Sequence, residues 1–507
     1  MTDLAPQQAV AGSVRLLQGQ RWNPVRELVA SRPAGDRALI TLARDGARRE
    51  WTFGELLAAS GSLAGALVAR GVQRGSVVLT LVGNTIEYPL LMLACLRIGA
   101  VLLPCSEQLR AKDIALRVER ARPVLIVCDE RNRGVVDTAQ PPCPVLSVPD
   151  GSLLTGHPAP EFAELAATDP AFVLFTSGTS GEPKLVTHGQ RYIAGQHLQA
   201  RNWLAAEAGE LVWSTAAPGW SKSTRNTFLA PWLCGAVALL QDRRFDPVER
   251  LATIRAENVN VLCMAPTEYR LIATHGPIGE LPSLRRAVTA GEAMGVPAHE
   301  VWRTQTGLSI ADGYGQTETG HIAGVRPGEQ APPGSMGRPL PGVRVRIVDG
   351  ELCVDAATVP SFFLGYTPPA EPSPDGLWHT GDQVRQDEDG WLYFQARVDD
   401  VIVSAGYRIG PAEVESVLLG HPAVRESAVI GVPDPDRGEV VAAVVVLRDG
   451  FDPSDELARE LQDFVKAETA PYKYPRVIRF ADTLPKTNSG KIHRAALRSA
   501  QPPFPTL

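Results

Sequence analysis

A hydrophobic run, Phe172-Val173-Leu174-Phe175, leads into Thr176-Ser177-Gly178-Thr179-Ser180-Gly181-Glu182-Pro183-Lys184. The chemistry this composition supports is phosphate binding. Glycines let backbone N–H groups converge on an anion, hydroxyls donate further hydrogen bonds, and a lysine supplies charge. A plain polar turn is the alternative. The spacing is not that of a Walker loop, because Lys184 follows Pro183 and precedes Leu185, and a kinase-type reading fails with it. Further carboxylates and cations stand in short, glycine-containing segments. These are Thr289-Ala290-Gly291-Glu292, Asp312-Gly313-Tyr314-Gly315-Gln316-Thr317-Glu318, His379-Thr380-Gly381-Asp382, Arg397-Val398-Asp399-Asp400, Gly406-Tyr407-Arg408-Ile409 and Pro485-Lys486-Thr487-Asn488-Ser489-Gly490-Lys491.

Taken together and in this order, the segments resemble the adenylate-forming (AMP-binding) superfamily over roughly residues 35 to 495. The resemblance implies a carboxylate attacking the α-phosphorus of ATP, with pyrophosphate leaving and an acyl-adenylate forming. Negative charge crowds that transition state, so fixed donors and cations matter more than an acid–base pair. By resemblance, Thr176, Ser177, Gly178, Thr179, Ser180 and Lys184 hold phosphates. Glu318 is the Mg²⁺ ligand, with Thr317 donating beside it. Asp382 takes the ribose and Arg397 supports the nucleotide, while Gly291, Glu292, Asp312, Gly313 and Tyr314 belong to the adenine site, Tyr314 as a stacking face. Lys491 is the catalytic lysine, a compact charge on a flexible stem. For the second half-reaction, in which a thiolate expels AMP, the resemblance implies a swing of the C-terminal domain about a hinge at Asp399. Gly406 and Arg408 would then line the CoA tunnel.

The acid is narrowed by three positions. Around Ala217-Pro218-Gly219-Trp220-Ser221-Lys222 the chain is similar to the acyl-CoA synthetase branch, especially medium-chain and acetyl-CoA synthetase-like ligases. Trp220, Ala290 and Gly315 are the expected acyl pocket. Acetate-specific relatives carry tryptophan at the place matching Gly315, so glycine is expected to leave room for a medium-chain, branched or aromatic acid. Three departures stand out: Ala396 where glycine usually precedes the arginine, Ala217-Pro218 in place of Asp-Thr, and Ser180 in place of threonine. The expected partners are a small carboxylic acid, ATP with Mg²⁺, and CoA; a carrier-protein pantetheine as acceptor and a homodimer stay open. A catalytically silent sensor is the alternative from outside the enzymes.

The elements that must position these residues follow from periodicity. Short β-branched runs at 76–82, 124–127, 211–213 and 259–262 alternate with helical patterns such as Trp51 to Arg70. That alternation predicts βαβ units and mainly parallel sheets. Leu81 to Pro104 is the most membrane-like stretch, but Glu87, Arg97 and the Gly83-Asn84 turn predict strand, helix and strand instead. Pro/Gly-rich stretches at Ala331–Gly342 and Thr367–Gly376 are expected to be loops. After about Asp400 the pattern restarts. Pro411 opens a helix ending near Gly420, Val440–Leu447 forms a strand, and Asp452-Pro453 caps a helix burying Leu457, Leu461, Phe464 and Val465. The expected fold is therefore α/β: a large multi-subdomain unit (residues 1–398) with mainly parallel sheets, and a small mobile α+β domain (399–507).

Composition sets the outer limits. The chain has 507 residues, 44% hydrophobic and 21% charged, which is a globular balance. A formal charge of -6 without long blocks gives no general electrostatic case for nucleic-acid binding. Seven scattered cysteines without CxxC spacing argue against a zinc site or disulfide framework and for buried thiols in a reducing compartment. The N-terminal MTDLAPQQAVAG lacks a basic-then-apolar signal. A cytoplasmic protein with no membrane span is expected.

Overall fold

The computed structural model describes residues 18–149, 151–176, 184–292, 294–369, 373, 375–404, 407–434, 437–470, 472–486 and 492–499, apart from the side chains of Ser152, Asp399 and Arg408. Two large sheets dominate the first 340 residues. One has nine strands, with a parallel run through Ile310–Gln316, Arg286–Ala290, Val261–Met264, Leu211–Ser214, Val237–Gln241 and Arg37–Leu42. The other has seven, with a parallel run through Pro170–Thr176, Val101–Pro104, Val77–Leu81, Leu125–Asp129 and Val145–Val148. Antiparallel strands close the edges of both sheets. The parallel strands are short and apolar because helices cover both of their faces.

Local chemistry explains the helices between them. Phe53–Ala69 starts at Thr52, whose hydroxyl accepts from the Glu55 N–H while the Glu55 carboxylate accepts from the Thr52 N–H. It buries Leu56, Leu63 and Leu67. The membrane-like stretch resolves into the strand ending at Leu81, the helix Glu87–Ile98 and the strand Val101–Pro104. Arg97 within that helix keeps its charge by donating to the Pro160 carbonyl (2.6 Å) and lying 4.0 Å over the Phe162 ring.

A four-stranded antiparallel sheet follows, made of Val345–Val348, Glu351–Val354, Trp378–Gln386 and Leu392–Arg397. The chain then leaves it at Arg397, passes through the turn Val398–Asp400 and enters a separate five-stranded sheet at Ile402–Ser404. That last sheet packs on Pro411–Leu418 and Asp455–Glu468 around its own core of Ile402, Val414, Leu418, Val441, Leu461 and Val465. The 455–468 helix is capped by Ser454, whose hydroxyl accepts from the Leu457 N–H (3.1 Å). This corrects the Asp452-Pro453 cap: the chain stays extended two residues longer because a serine hydroxyl reaches the free N–H groups.

Candidate active site

The site is assembled where the nine-stranded sheet turns back on itself. Ile310–Gln316 and Gly320–Gly324 pair antiparallel with a register shift at Tyr314/Gly315. The turn between them carries Thr317 and Glu318. Thr319 fixes this turn: its hydroxyl accepts from the Gln316 N–H (3.1 Å), and its carbonyl accepts from the buried Ser361 hydroxyl (2.7 Å). Glu318 is 9% exposed, and its carboxylate accepts from the Tyr366 hydroxyl through Oε1 (2.7 Å). Burial and the Glu318 carboxylate together push the Tyr366 phenol well above its usual range, so it stays a donor.

Tyr366 also links Glu318 to the hairpin of Pro170–Thr176 and Lys184–Gly189. Its strand, Gly365–Thr367, pairs with Lys184–Gly189, and the Lys184 ammonium lies 5.1 Å from the Tyr366 ring centre. Thr176 and Lys184 are register partners at the mouth of the hairpin. Ser177, Gly178, Thr179 and Ser180 lie outside the described residues.

A second network holds Asp382, which is 5% exposed. Asp382 and Arg397 are cross-strand partners, and Arg397 Nη1 donates to Asp382 Oδ1 (2.9 Å) and the Thr380 carbonyl (3.1 Å). Gln316 Nε2 donates to Asp382 Oδ2 (2.9 Å) and the Thr380 carbonyl (2.7 Å), while Trp378 Nε1 donates to Gln316 Oε1 (3.1 Å). The Tyr314 hydroxyl also donates to Asp382 Oδ2. Tyr314 is 9% exposed within the core formed with Ile322, Leu340 and Leu352. Its visible task is therefore to hold Asp382, and little of its ring is open for stacking.

Among the residues expected to form the acyl pocket, Ala290 ends a parallel strand, and its carbonyl accepts from Lys222 Nζ (2.7 Å). Gly291 follows at φ +103°, where a Cβ would sit 2.8 Å from that ammonium. Glu292 turns away to accept from Thr267 Oγ1 (2.9 Å) and Arg270 Nη2 (3.0 Å). Asp312 accepts from the Gly313 N–H (2.7 Å), and burial pushes its carboxyl up to about 8, opposed by that bond and by Lys222. Trp220 is half-buried at the start of the short helix Ser221–Ser223.

The space beside Gly315 differs from the expectation. A Cβ there would lie 1.9 Å from the Gly320 carbonyl oxygen. The missing side chain admits the neighbouring strand, and the room it saves is filled by backbone.

In the C-terminal region the backbone of Asp399 lies in the turn between the two sheets. The strand Tyr407–Ile409 carries Arg408, while Gly406 and Lys491 lie outside the described residues. Lys486 and Ile492, which bracket Lys491, form an isolated bridge. Sequence reasoning missed Tyr366 and the part played by Gln316. Gln316 stood inside a recognised segment and was legible there; no local pattern marks Tyr366. Also missed were the buried Arg225, His188 and His321, whose neighbours come from four different segments.

Comparison with known proteins decides between the classes left open. Residues 26–360 match the AMP-binding enzyme family, and residues 413–491 match the AMP-binding enzyme C-terminal domain. The chain belongs to the AMP-binding enzymes. It is 36% identical to the uncharacterized acyl-CoA ligase YtcI of Bacillus subtilis, over 96% of this chain and 97% of that protein. It is 37% identical to the mitochondrial acyl-coenzyme A synthetase ACSM3 of Pongo abelii, over 94% and 87% respectively. Among solved structures, a benzoate CoA ligase from Burkholderia xenovorans superposes with a TM-score of 0.85 at 28% identity, over 94% of this chain and 100% of that one. This AMP-binding enzyme is thus an acyl-CoA synthetase: an AMP-forming ligase of an acid, ATP and CoA. Among the described residues no helix is long and apolar enough to cross a membrane.

Proposed function

We propose that this acyl-CoA synthetase acts on medium-chain or aromatic carboxylic acids in the cytoplasm, with free CoA as the acceptor. The observation that carries the catalytic part is the convergence of Lys184, Tyr366 and Glu318 beside the Gln316–Asp382–Arg397 network. The names of the ACSM3 and benzoate CoA ligase relatives support the acid class and the CoA acceptor.

In the first step an acid oxygen bonds to the α-phosphorus of ATP, the α–β bridging bond breaks, and pyrophosphate leaves. Lys184 offers charge to the phosphates, and Asp382 accepts from a ribose hydroxyl. A carboxylate has about four acceptor positions. Among the described residues Tyr314, Gln316 and Arg397 donate to three of them, so a sugar hydroxyl takes the remaining position or displaces Tyr314 or Gln316. Glu318 fits a Mg²⁺ ligand, because a carboxylate oxygen suits a hard cation and Tyr366 engages only Oε1. When bound, the ion would neutralise phosphate charge. Lys491 approaches the reacting carboxylate and α-phosphate. In the second step the CoA sulfur bonds to the acyl carbon, the acyl–phosphate bond breaks, and AMP leaves.

The test is pyrophosphate release across a panel of acids, with and without CoA. Octanoate or benzoate should exceed acetate, and Lys491→Ala should lower the rate by about 100-fold or more. Acetate outrunning both would overturn the acid class, and an unaffected Lys491→Ala variant would overturn the mechanism.

A further inference from the structure

Arg225 lies in the helical segment Thr224–Leu229, a few residues beyond Trp220 and Lys222, and is only 3% exposed. Its Nε and Nη1 atoms are sealed from solvent and have no hydrogen-bond partner. No carboxylate among the described residues pairs with it. Lys222 and Arg191 also act on the histidines beside it, and Tyr192 is a hydrogen-bond partner. The Tyr192 phenol lies beside it, and the two buried imidazoles of His188 and His321 feel its charge. Burial first, and then Arg225, pushes His188 down to about 3 and His321 well below its usual range. All four ring nitrogens of these histidines are likewise buried without a partner. His188 stacks on Tyr192 (4.1 Å between ring centres) and His321 on Trp203 (3.9 Å), so neither ring is free to turn toward water.

This polar centre is continuous with the acyl side of the site. Arg225 Nη1 lies 3.9 Å from the place a Cβ on Gly320 would take, and the Gly320 carbonyl packs against Gly315. His321 packs against Gly313, and the adjacent Asn226 donates to Cys263 Sγ (3.5 Å) on the strand next to Arg286–Ala290. A guanidinium buried without a counter-charge is strongly unfavourable unless something else pairs with it. Either unpaired nitrogen, Nε or Nη1, can donate one charge-assisted hydrogen bond to a carboxylate.

We propose that Arg225 receives a second carboxylate of the substrate, so that the preferred acid is a dicarboxylic acid whose remote carboxylate is buried among Arg225, His188 and His321. This rests on the acid–CoA ligase reading and refines its acid class: the middle of the molecule is aliphatic or aromatic, and the far end is charged.

The experiment compares matched acids: octanoate with octanedioate, and benzoate with benzene-1,4-dicarboxylate. Pyrophosphate release is measured for the wild type, Arg225→Leu and Arg225→Lys, alongside the thermal shift each acid gives. The wild type should favour the diacid of at least one pair by about tenfold or more in kcat/KM. Arg225→Leu should lower the diacid-to-monoacid ratio by about tenfold or more, the worth of one charge-assisted hydrogen bond, and Arg225→Lys should retain part of it. The diacid should also raise the wild-type Tm more than the monoacid, a readout that stands even where the leucine variant fails to fold. Monoacids reacting better than diacids, with a ratio that neither variant moves, would overturn the Arg225 assignment and leave the ligase reading intact. No pyrophosphate release with any acid would overturn the ligase reading and this inference together.

Discussion

Glu318 and Asp382 are both buried carboxylates, and each is oriented by neighbours that an isolated motif does not specify. The Tyr366 hydroxyl holds one oxygen of Glu318 in place. Removing it as Tyr366→Phe should lower the rate of adenylate formation by about tenfold, since a hydrogen bond to a charged group is lost. The apparent KM for Mg²⁺ should rise at the same time, whereas a merely structural tyrosine would change Tm alone. Asp312 gives a pH signature. Its folded carboxyl is raised from 3.8 to about 8, so the folded state holds a proton that the unfolded chain has lost between those values. Its stabilising contribution is complete below the lower value and is lost as pH rises through the upper one. Asp312 should therefore contribute a falling component from about pH 4 to pH 8, opposed below 6.5 by the buried His188 and His321, and urea unfolding of Asp312→Asn should lack that component. An equal slope in the variant would place the titration elsewhere.

The strand pair Ile310–Gln316 and Gly320–Gly324 is the element on which the site depends, because its turn carries Glu318 while its body carries Asp312 and Tyr314. Gly315 permits the close approach of the two strands. Gly315→Ala would press a methyl group into the Gly320 carbonyl. It should cost about 1–3 kcal/mol in denaturant unfolding, the range for overpacking a filled space. A neutral result would mean that the strands have slack there. The same pair shows what was legible in the sequence. Alternating apolar runs and helical patterns predicted parallel sheets, and the short strands at Val77–Leu81, Leu125–Asp129 and Leu211–Ser214 lie where β-branched runs placed them. Glu318, Asp382 and Arg397 were singled out because their segments resemble those of the family, and the structure pairs Asp382 with Arg397 across two strands. Tyr366 and Arg225 were not singled out, because their roles arise from contacts between strands and helices far apart in the chain. Gly315 shows the same limit: the sequence marks a missing side chain, and the Gly320 carbonyl stands where its Cβ would be.

At the scale of the whole molecule, the chain changes sheets across four residues, 398–401. Arg397 still pairs with Asp382 in the four-stranded sheet, and Ile402 already belongs to the C-terminal core. Asp400, between them, pairs with Arg498 (2.6 Å) and Arg494 (3.6 Å), tying this end of the turn to the C-terminal unit. In the proposed cycle, rotation about the preceding residue carries the C-terminal unit, with Lys491 brought in for the first step and withdrawn for the second. Asp399→Pro should spare adenylate formation and slow thioester formation by about tenfold or more, because proline restricts the backbone at the pivot. Equal loss in both steps would count against a hinge at this position. The central claim, that one site activates an acid with ATP and then passes it to CoA, is tested most directly by single-turnover mass spectrometry with octanoate and ATP. Acyl-AMP should accumulate on the enzyme without CoA, and addition of CoA should convert it to acyl-CoA and AMP. Hydrolysis of ATP with no acyl-AMP, or acyl-AMP that CoA leaves unchanged, would contradict it.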